Sequence, residues 1–257
     1  MTASYPGSIK TFTVKVDGVD TIYAADINSL QEEIVAIETD LISELKAGWI
    51  PLQVTCTYAL ATAFTVPGNL TTMFTTGMKL RLVQSGVTKY FYVVGSSYSS
   101  VTELTTVTIT GGSDYSLTNT AISSPKISHA TTPQGFPGWF NWAPTLTGYS
   151  SVPTNAVYRF SIDGRKVHIS VREVTSGISN ATSITISLPV TAATITNQIW
   201  MYPASYENNG VASTTWGRGV ISSGDNKIVF GISPAQQDGF TASGNKRISA
   251  FDGWYEF

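Results

Sequence analysis

Nucleophile-and-base chemistry in this chain would have to use two histidines, His129 and His168, and one cysteine, Cys56, because its 257 residues contain no others. A Ser–His or Cys–His site needs an imidazole beside its nucleophile, and no Gly-x-Ser-x-Gly elbow occurs. His168 alternates within a strand-like run, where a structural role accounts for it, and the many serines follow from β and turn composition. Beyond Trp49 the carboxylates are sparse: Glu103, Asp114, Asp163, Glu173, Glu207, Asp225, Asp238, Asp252 and Glu256. A glycosidase needs two of them facing each other across a cleft, and spacing alone neither finds nor removes such a pair. Asp163 and Asp225 stand at turn signals, which gives them a structural role. No residues have metal-ligand spacing and no Gly-rich phosphate loop is present. Neither a metal, a cofactor nor an enzymatic activity is expected.

The aromatic residues are the remaining candidates for a site. Tyr and Trp offer flat apolar faces with polar tips, suited to stacking on sugar rings. The stretch "IWMYPASYENNGVASTTWGRG" concentrates Trp200, Tyr202, Tyr206 and Trp216 in what reads as a loop-rich segment. These four are the candidate ligand-facing aromatics; the alternative is packing in a core or a subunit interface.

A helix is the first element that would have to position such groups. From Asp26 onward, Ile27, Leu30, Ile34, Ile37 and Leu41 recur at spacings of 3, 4, 3 and 4, one seam of a heptad repeat. Gly48 and Pro51 supply a stop, so the spacing predicts a helix over 24–47. A lone helix of this length is marginal in water, so its seam needs cover. That cover is either the chain's own β structure or a parallel coiled coil of identical chains. The Ile-rich mixture at both core positions leans toward three strands.

Everything after this helix is β-like. "MKLRLVQSGVTKYFYVV" reads as two strands, 78–83 and 88–94, joined through Ser85-Gly86, and 105–110 adds an alternating strand. "TTPQGFPGWFNWAPTLTG" has three prolines and four aromatics without sustained period, a linker with hydrophobic anchors that should be docked. Beyond it, 157–162 and 165–171 form a hairpin about Asp163-Gly164, and "SITISLP", "KIVFGIS" and "RISAFDGWYEF" add three strands. The expected fold is mainly β. A short N-terminal α-helix forming a trimeric coiled coil precedes two antiparallel β domains, the second sandwich or jelly-roll-like. The divisions fall at 1–23 (attachment segment), 24–48 (trimerisation helix), 49–130 (small β domain), 131–147 (docked linker) and 148–257 (C-terminal β domain).

Composition narrows the partners. Charged residues are 12% of the chain, whereas Ser and Thr supply about a quarter, so the surface is hydroxyl-rich and nearly uncharged. Eight of the seventeen acids precede Trp49 beside three basic residues, leaving twelve basic and nine acidic residues after it. No basic stripe suits a nucleic-acid backbone, and no run of 18 apolar residues exists to span a membrane. A secretory signal peptide is not expected, and the single Cys56 permits no intramolecular disulfide.

Three segments carry a resemblance: "SYPGSIKTFTVKVDGVDTIYAADINSLQEEIVAIETDLI", "FTVPGNLTTMFTTGMKLRLVQSGVTKYFYVV" and "TTPQGFPGWFNW". Together they resemble the virion fibre, baseplate and receptor-binding proteins of tailed bacteriophages over most of the first 145 residues. The resemblance implies a homotrimer on the virion, assembled in the host cytoplasm, whose N-terminal region meets other virion proteins. Its β domains would project toward a host-surface glycan. It transfers no catalytic residues, because the matching segments are architectural. Many tail fibres have long shafts and this chain has only a short seam, so a head fibre or capsid decoration protein is the alternative, ahead of a polysaccharide-cleaving tailspike.

Overall fold

The computed structural model describes residues 19–234 and 239–257. Most of the expected attachment segment, 1–18, and Asp238 lie outside the described residues. The fold is mainly β, with one N-terminal helix and antiparallel sheets.

Helix α1 runs Ala24–Lys46. At its start the Asp26 carboxylate accepts the backbone N–H of Tyr23 at 3.0 Å, satisfying a donor that has no partner within the helix. At its end Gly48 adopts φ +77°, which lets its N–H reach the Leu45 carbonyl and the N–H of Trp49 reach that of Glu44.

The first sheet holds seven strands: β1 (Ile50–Pro51), β2 (Thr57–Leu60), β3 (Ala63–Pro67), β4 (Lys79–Gln84), β5 (Val87–Ser99), β6 (Leu104–Thr110) and β7 (Ile122–Ser128). Their order is β1-β7-β4-β5-β6-β3-β2. The β4–β5 hairpin turns on Ser85 and Gly86 at φ 53° and 76°, the positive pair that matches strand twist. Alternation then sends Leu80, Leu82, Phe91, Val93, Val107 and Ile109 into one core with Phe64 and Phe74.

Eleven strands make the second sheet: β8 (Phe140–Asn141), β9 (Leu146–Thr147), β10 (Ala156–Asp163), β11 (Lys166–Glu173), β12 (Gly177–Ile178), β13 (Ile184–Ser187), β14 (Ile199–Asn208), β15 (Val211–Ala212), β16 (Gly217–Ser222), β17 (Lys227–Gly231) and β18 (Asn245–Glu256). The main path is β8-β10-β11-β18-β14-β16-β17-β13-β9, with β12 on β18 and β15 on β14. Nine strands laid flat would span about 38 Å, yet the two end strands are joined through only residues 142–145. Thr145 donates to Ser187 Oγ at 2.8 Å and accepts its N–H at 3.0 Å. The sheet therefore curls round its core, in which Phe160, Ile169, Ile186, Ile221, Phe230, Phe251 and Tyr255 are buried.

Three details differ from expectation. The segment expected as a linker contributes β8 and β9. The hairpin turn is Gly164-Arg165, since Asp163 pairs with Lys166; Gly164 has φ +56°, as the first position of a two-residue turn of this kind requires. The first half of the stretch read as loop-rich is β14, a ten-residue strand between β18 and β16.

The sheets are clipped to each other. Asp114 accepts both the backbone N–H and the side-chain amide of Asn141, at 2.8 and 2.9 Å. At Gly77 (φ +84°) a β-carbon would lie 1.9 Å from the Gly164 carbonyl oxygen, so the two backbones meet where only glycine fits. Between these contacts Tyr92, Phe136, Phe140 and Phe160 pack in a chain of rings 5.0–5.8 Å apart.

Candidate functional site

The proposed seam is open. Ile27, Leu30, Ile34, Ile37 and Leu41 are each 41–49% exposed, and at 100° per residue they fall within about 80° of the helix circumference. Leu45 and Ile42 extend the apolar stripe, also exposed. Ser29 and Glu33, about 120° and about 80° round from the middle of the seam, are buried instead. Cover therefore falls on a polar face of α1 while the apolar face meets solvent, and packing of the seam on the chain's own β structure is not what the described residues show.

The heptad ends where Glu44 stands at the position a sixth seam residue would occupy. Its carboxylate takes Arg81 Nη2 at 3.0 Å and forms a second ion pair with Lys126 Nζ. The guanidinium of Arg81 also lies 4.9 Å from the Trp49 ring centre. Trp49 is fully buried and donates its indole N–H to the Gln134 carbonyl at 2.9 Å, while Gln134 N–H reaches the Ala47 carbonyl at 2.8 Å. These contacts weld the helix end to β4, β7 and the segment after β7.

The four aromatic candidates do not form a surface. Trp200 and Tyr206 are buried in the second core; Tyr206 donates to the Ile232 carbonyl at 2.9 Å. Tyr202 is partly buried, edge-on to Phe251 at 6.2 Å and pressed against Gly253. Of the four, only Trp216 is exposed. On a strand, residues 200, 202, 204 and 206 share a face, and here that face is the inner one.

Glu173 is a carboxylate buried within the β body. It accepts from Tyr158 Oη at 2.9 Å, Tyr149 Oη at 3.2 Å and the Ile248 N–H at 2.6 Å. Burial nevertheless pushes its pKa up, against these hydrogen bonds and nearby Arg247, which pull it down. At 1% exposure no substrate reaches it. Glu207 is held by Ser176 Oγ at 2.6 Å and faces Arg247 Nε at 3.2 Å. Among the described residues no group of three His, Cys, Asp or Glu side chains is placed to hold a metal.

A cleft of about 380 Å³ opens between the two sheets, a place the sequence did not point to. Lys79, Tyr92, Thr131, Trp139, Ser161, Asp163 and His168 are among its lining residues. Three distant segments meet here: β4 and β5, the segment after β7, and the β10–β11 hairpin. Lys79 is nearly buried; its Nζ donates to the Ala130 carbonyl at 3.1 Å and sits 5.7 Å from the Phe136 ring centre. Burial lowers its pKa, and the charge of Asp163 works the other way. Ser161 lies opposite His168, which lies opposite Trp254, in one row across β10, β11 and β18. Arg159 is 5.2 Å from the Trp139 ring centre and Lys166 is 4.5 Å from that of Trp254. One signal was available in the sequence: alternation about the Asp163-Gly164 hairpin puts Ser161, Asp163, Lys166 and His168 on one face.

No family model, curated protein or solved structure matches the chain.

Proposed function

We propose that the chain is a homotrimeric virion protein of a tailed bacteriophage, gathered by the α1 seam and projecting its β body to adhere to a host-surface glycan. The observation that carries this reading is the open seam. Five heptad-spaced aliphatic residues face solvent on a helix whose far end is fixed to the β body. An apolar stripe of this kind marks an interaction surface. Buried in a three-stranded coiled coil, each seam residue would contribute about 1.5–3 kcal/mol before ordering costs. The N-terminal segment would join the particle, and the curled second sheet, sandwich or jelly-roll-like in enclosing one core, would stand outermost. A binding role rather than cleavage is favoured because, among the described residues, Asp163 is the one carboxylate lining the inter-sheet cleft, whereas glycoside hydrolysis requires two.

Mass in solution tests the assembly. Light scattering of the full chain should give three times 27.6 kDa, and the double variant Ile34→Asp, Ile37→Asp should give 27.6 kDa. A monomeric wild type would end this reading. Antibody labelling of intact particles would then locate the protein on tail, baseplate or head.

A further inference from the structure

The geometry points to the cleft between the two sheets as a saccharide-binding site, with Trp139 as the stacking face and Lys79, Asp163, Ser161 and His168 as the hydroxyl-binding groups. This deepens the adhesion reading and rests on it for the ligand class; its position rests on the cleft alone.

The first argument is hydrogen-bond supply. Two enclosed polar side chains elsewhere are well engaged: Gln84 donates to the Thr118 and Thr120 carbonyls and accepts from Lys89, and Lys246 donates to Ser179 and Ala181. Around the cleft the polar side chains are more open: Asp163 and Trp139 are exposed and Ser161 and His168 half-buried. Lys79 commits one of its three N–H groups, to Ala130. Among the described residues, the side chains of Asp163, Ser161, His168 and Trp139 have no hydrogen-bond partner. Uncommitted donors and acceptors converging on one concave surface are the mark of a site built for a ligand.

The second argument is the chemistry of Lys79 and Asp163. They are near enough for the charge of Asp163 to act on Lys79, yet they form no ion pair with each other. A cation and an anion held apart across a cleft suit a group that accepts from one and donates to the other at the same time. A hydroxyl does this, and neighbouring hydroxyls on a pyranose do it in pairs. A carboxylate or phosphate would be repelled by Asp163, and an amine by Lys79.

The third argument is shape. Trp139 is 41% exposed and its ring is steadied by the Arg159 guanidinium, leaving apolar surface against which the C–H face of a sugar can lie. The cleft volume is near the lower end of the range for small-ligand sites, about 300–1,000 Å³, which suits one or two sugar units of a longer chain. Its walls are fixed by the Gly77–Gly164 approach and the Asp114–Asn141 clip, so little ordering is needed on binding.

The test uses the full-length protein on a printed array of bacterial surface oligosaccharides, followed by calorimetry with the strongest of them. Wild type should bind a subset of spots. Trp139→Ala and, separately, Asp163→Asn should weaken the calorimetric affinity by about tenfold or more, whereas Trp216→Ala, exposed but outside the cleft, should leave it unchanged. Thermal melts check that each variant is folded. Binding that survives both cleft variants would overturn this site while leaving adhesion standing elsewhere on the chain. No bound spot at all would overturn both readings.

Discussion

Replacing Glu44 with alanine should free the helix end from the β body without unfolding that body. The Glu44 side chain is 16% exposed and its partners Arg81 and Lys126 are 21% and 18% exposed. An exposed ion pair contributes about 0–1 kcal/mol, and removing one partner of a fully buried pair costs about 3–5 kcal/mol. For one mostly enclosed carboxylate serving two cations, the expected loss is about 2 kcal/mol. Because these groups sit outside both cores, the loss applies to local opening of the junction, and about 2 kcal/mol is a roughly thirtyfold change in that equilibrium. Hydrogen exchange reads it directly. The Trp49 indole N–H and the Gln134 amide, both bonded across the junction, should exchange about thirtyfold faster, and amides of Leu80 and Phe91 should not change. Glu44→Gln, which keeps a hydrogen bond to Arg81, should fall between. Unchanged exchange at Trp49 would show that the ion pairs do not hold the junction, and equal acceleration at Leu80 would show that it is not a separate unit.

Two further outcomes follow from buried titratable groups. Burial raises the pKa of Glu173 in the folded state, so between the ordinary carboxylate pKa and its own raised value the folded chain holds a proton that the unfolded chain releases. Stability from this group should therefore fall as pH rises through that window. Glu173→Gln, which does not titrate, should lack the fall in urea midpoints; a wild type that gains on the variant with rising pH would mean that the three donors outweigh burial. Burial pushes the Cys56 thiol up to about 12, so iodoacetamide at pH 8 should leave the native protein unlabelled and label it fully in denaturant. Rapid native labelling would contradict the placement of Cys56 in the first core.

Local rules made the helix and the hairpins legible. Spacings of 3 and 4 specify α1 whatever surrounds it, and Ser85-Gly86 can close β4 on β5 because both residues adopt positive φ. Asp163-Gly164 marked its hairpin one residue early, since the Asp163–Lys166 pair closes the ladder. Strand β14 was hidden by Pro203, by the turn at Asn209-Gly210 and by a register shift between Ser205 and Tyr206. Each breaks the signals of a strand without breaking the strand, because β16 and β18 pair on either side. The cleft was less legible still. Lys79, Trp139 and Asp163 are widely separated in sequence, and only the packing of one sheet on the other brings them together.

That packing gives the seam and the cleft a common frame. Glu44, Trp49 and Gln134 hold α1 to β4 and β7. Lys79 lies in β4 and lines the cleft, and the Asp114–Asn141 clip with the Gly77–Gly164 approach holds the hairpin that carries Asp163. No flexible Gly/Ser tract interrupts this path, so the direction of the helix fixes the direction of the cleft. Three chains joined through their seams would present three clefts at one set spacing. Linked sites of this kind can raise avidity by about 10²–10⁴ over the single site when their geometry lets them engage together, and gain nothing when it does not. In the proposed trimer a rigid junction would restrict which surfaces are gripped, favouring receptors that repeat at the matching distance. Loosening it through Glu44→Ala should leave the single-cleft affinity unchanged while altering the dependence of adhesion on receptor spacing.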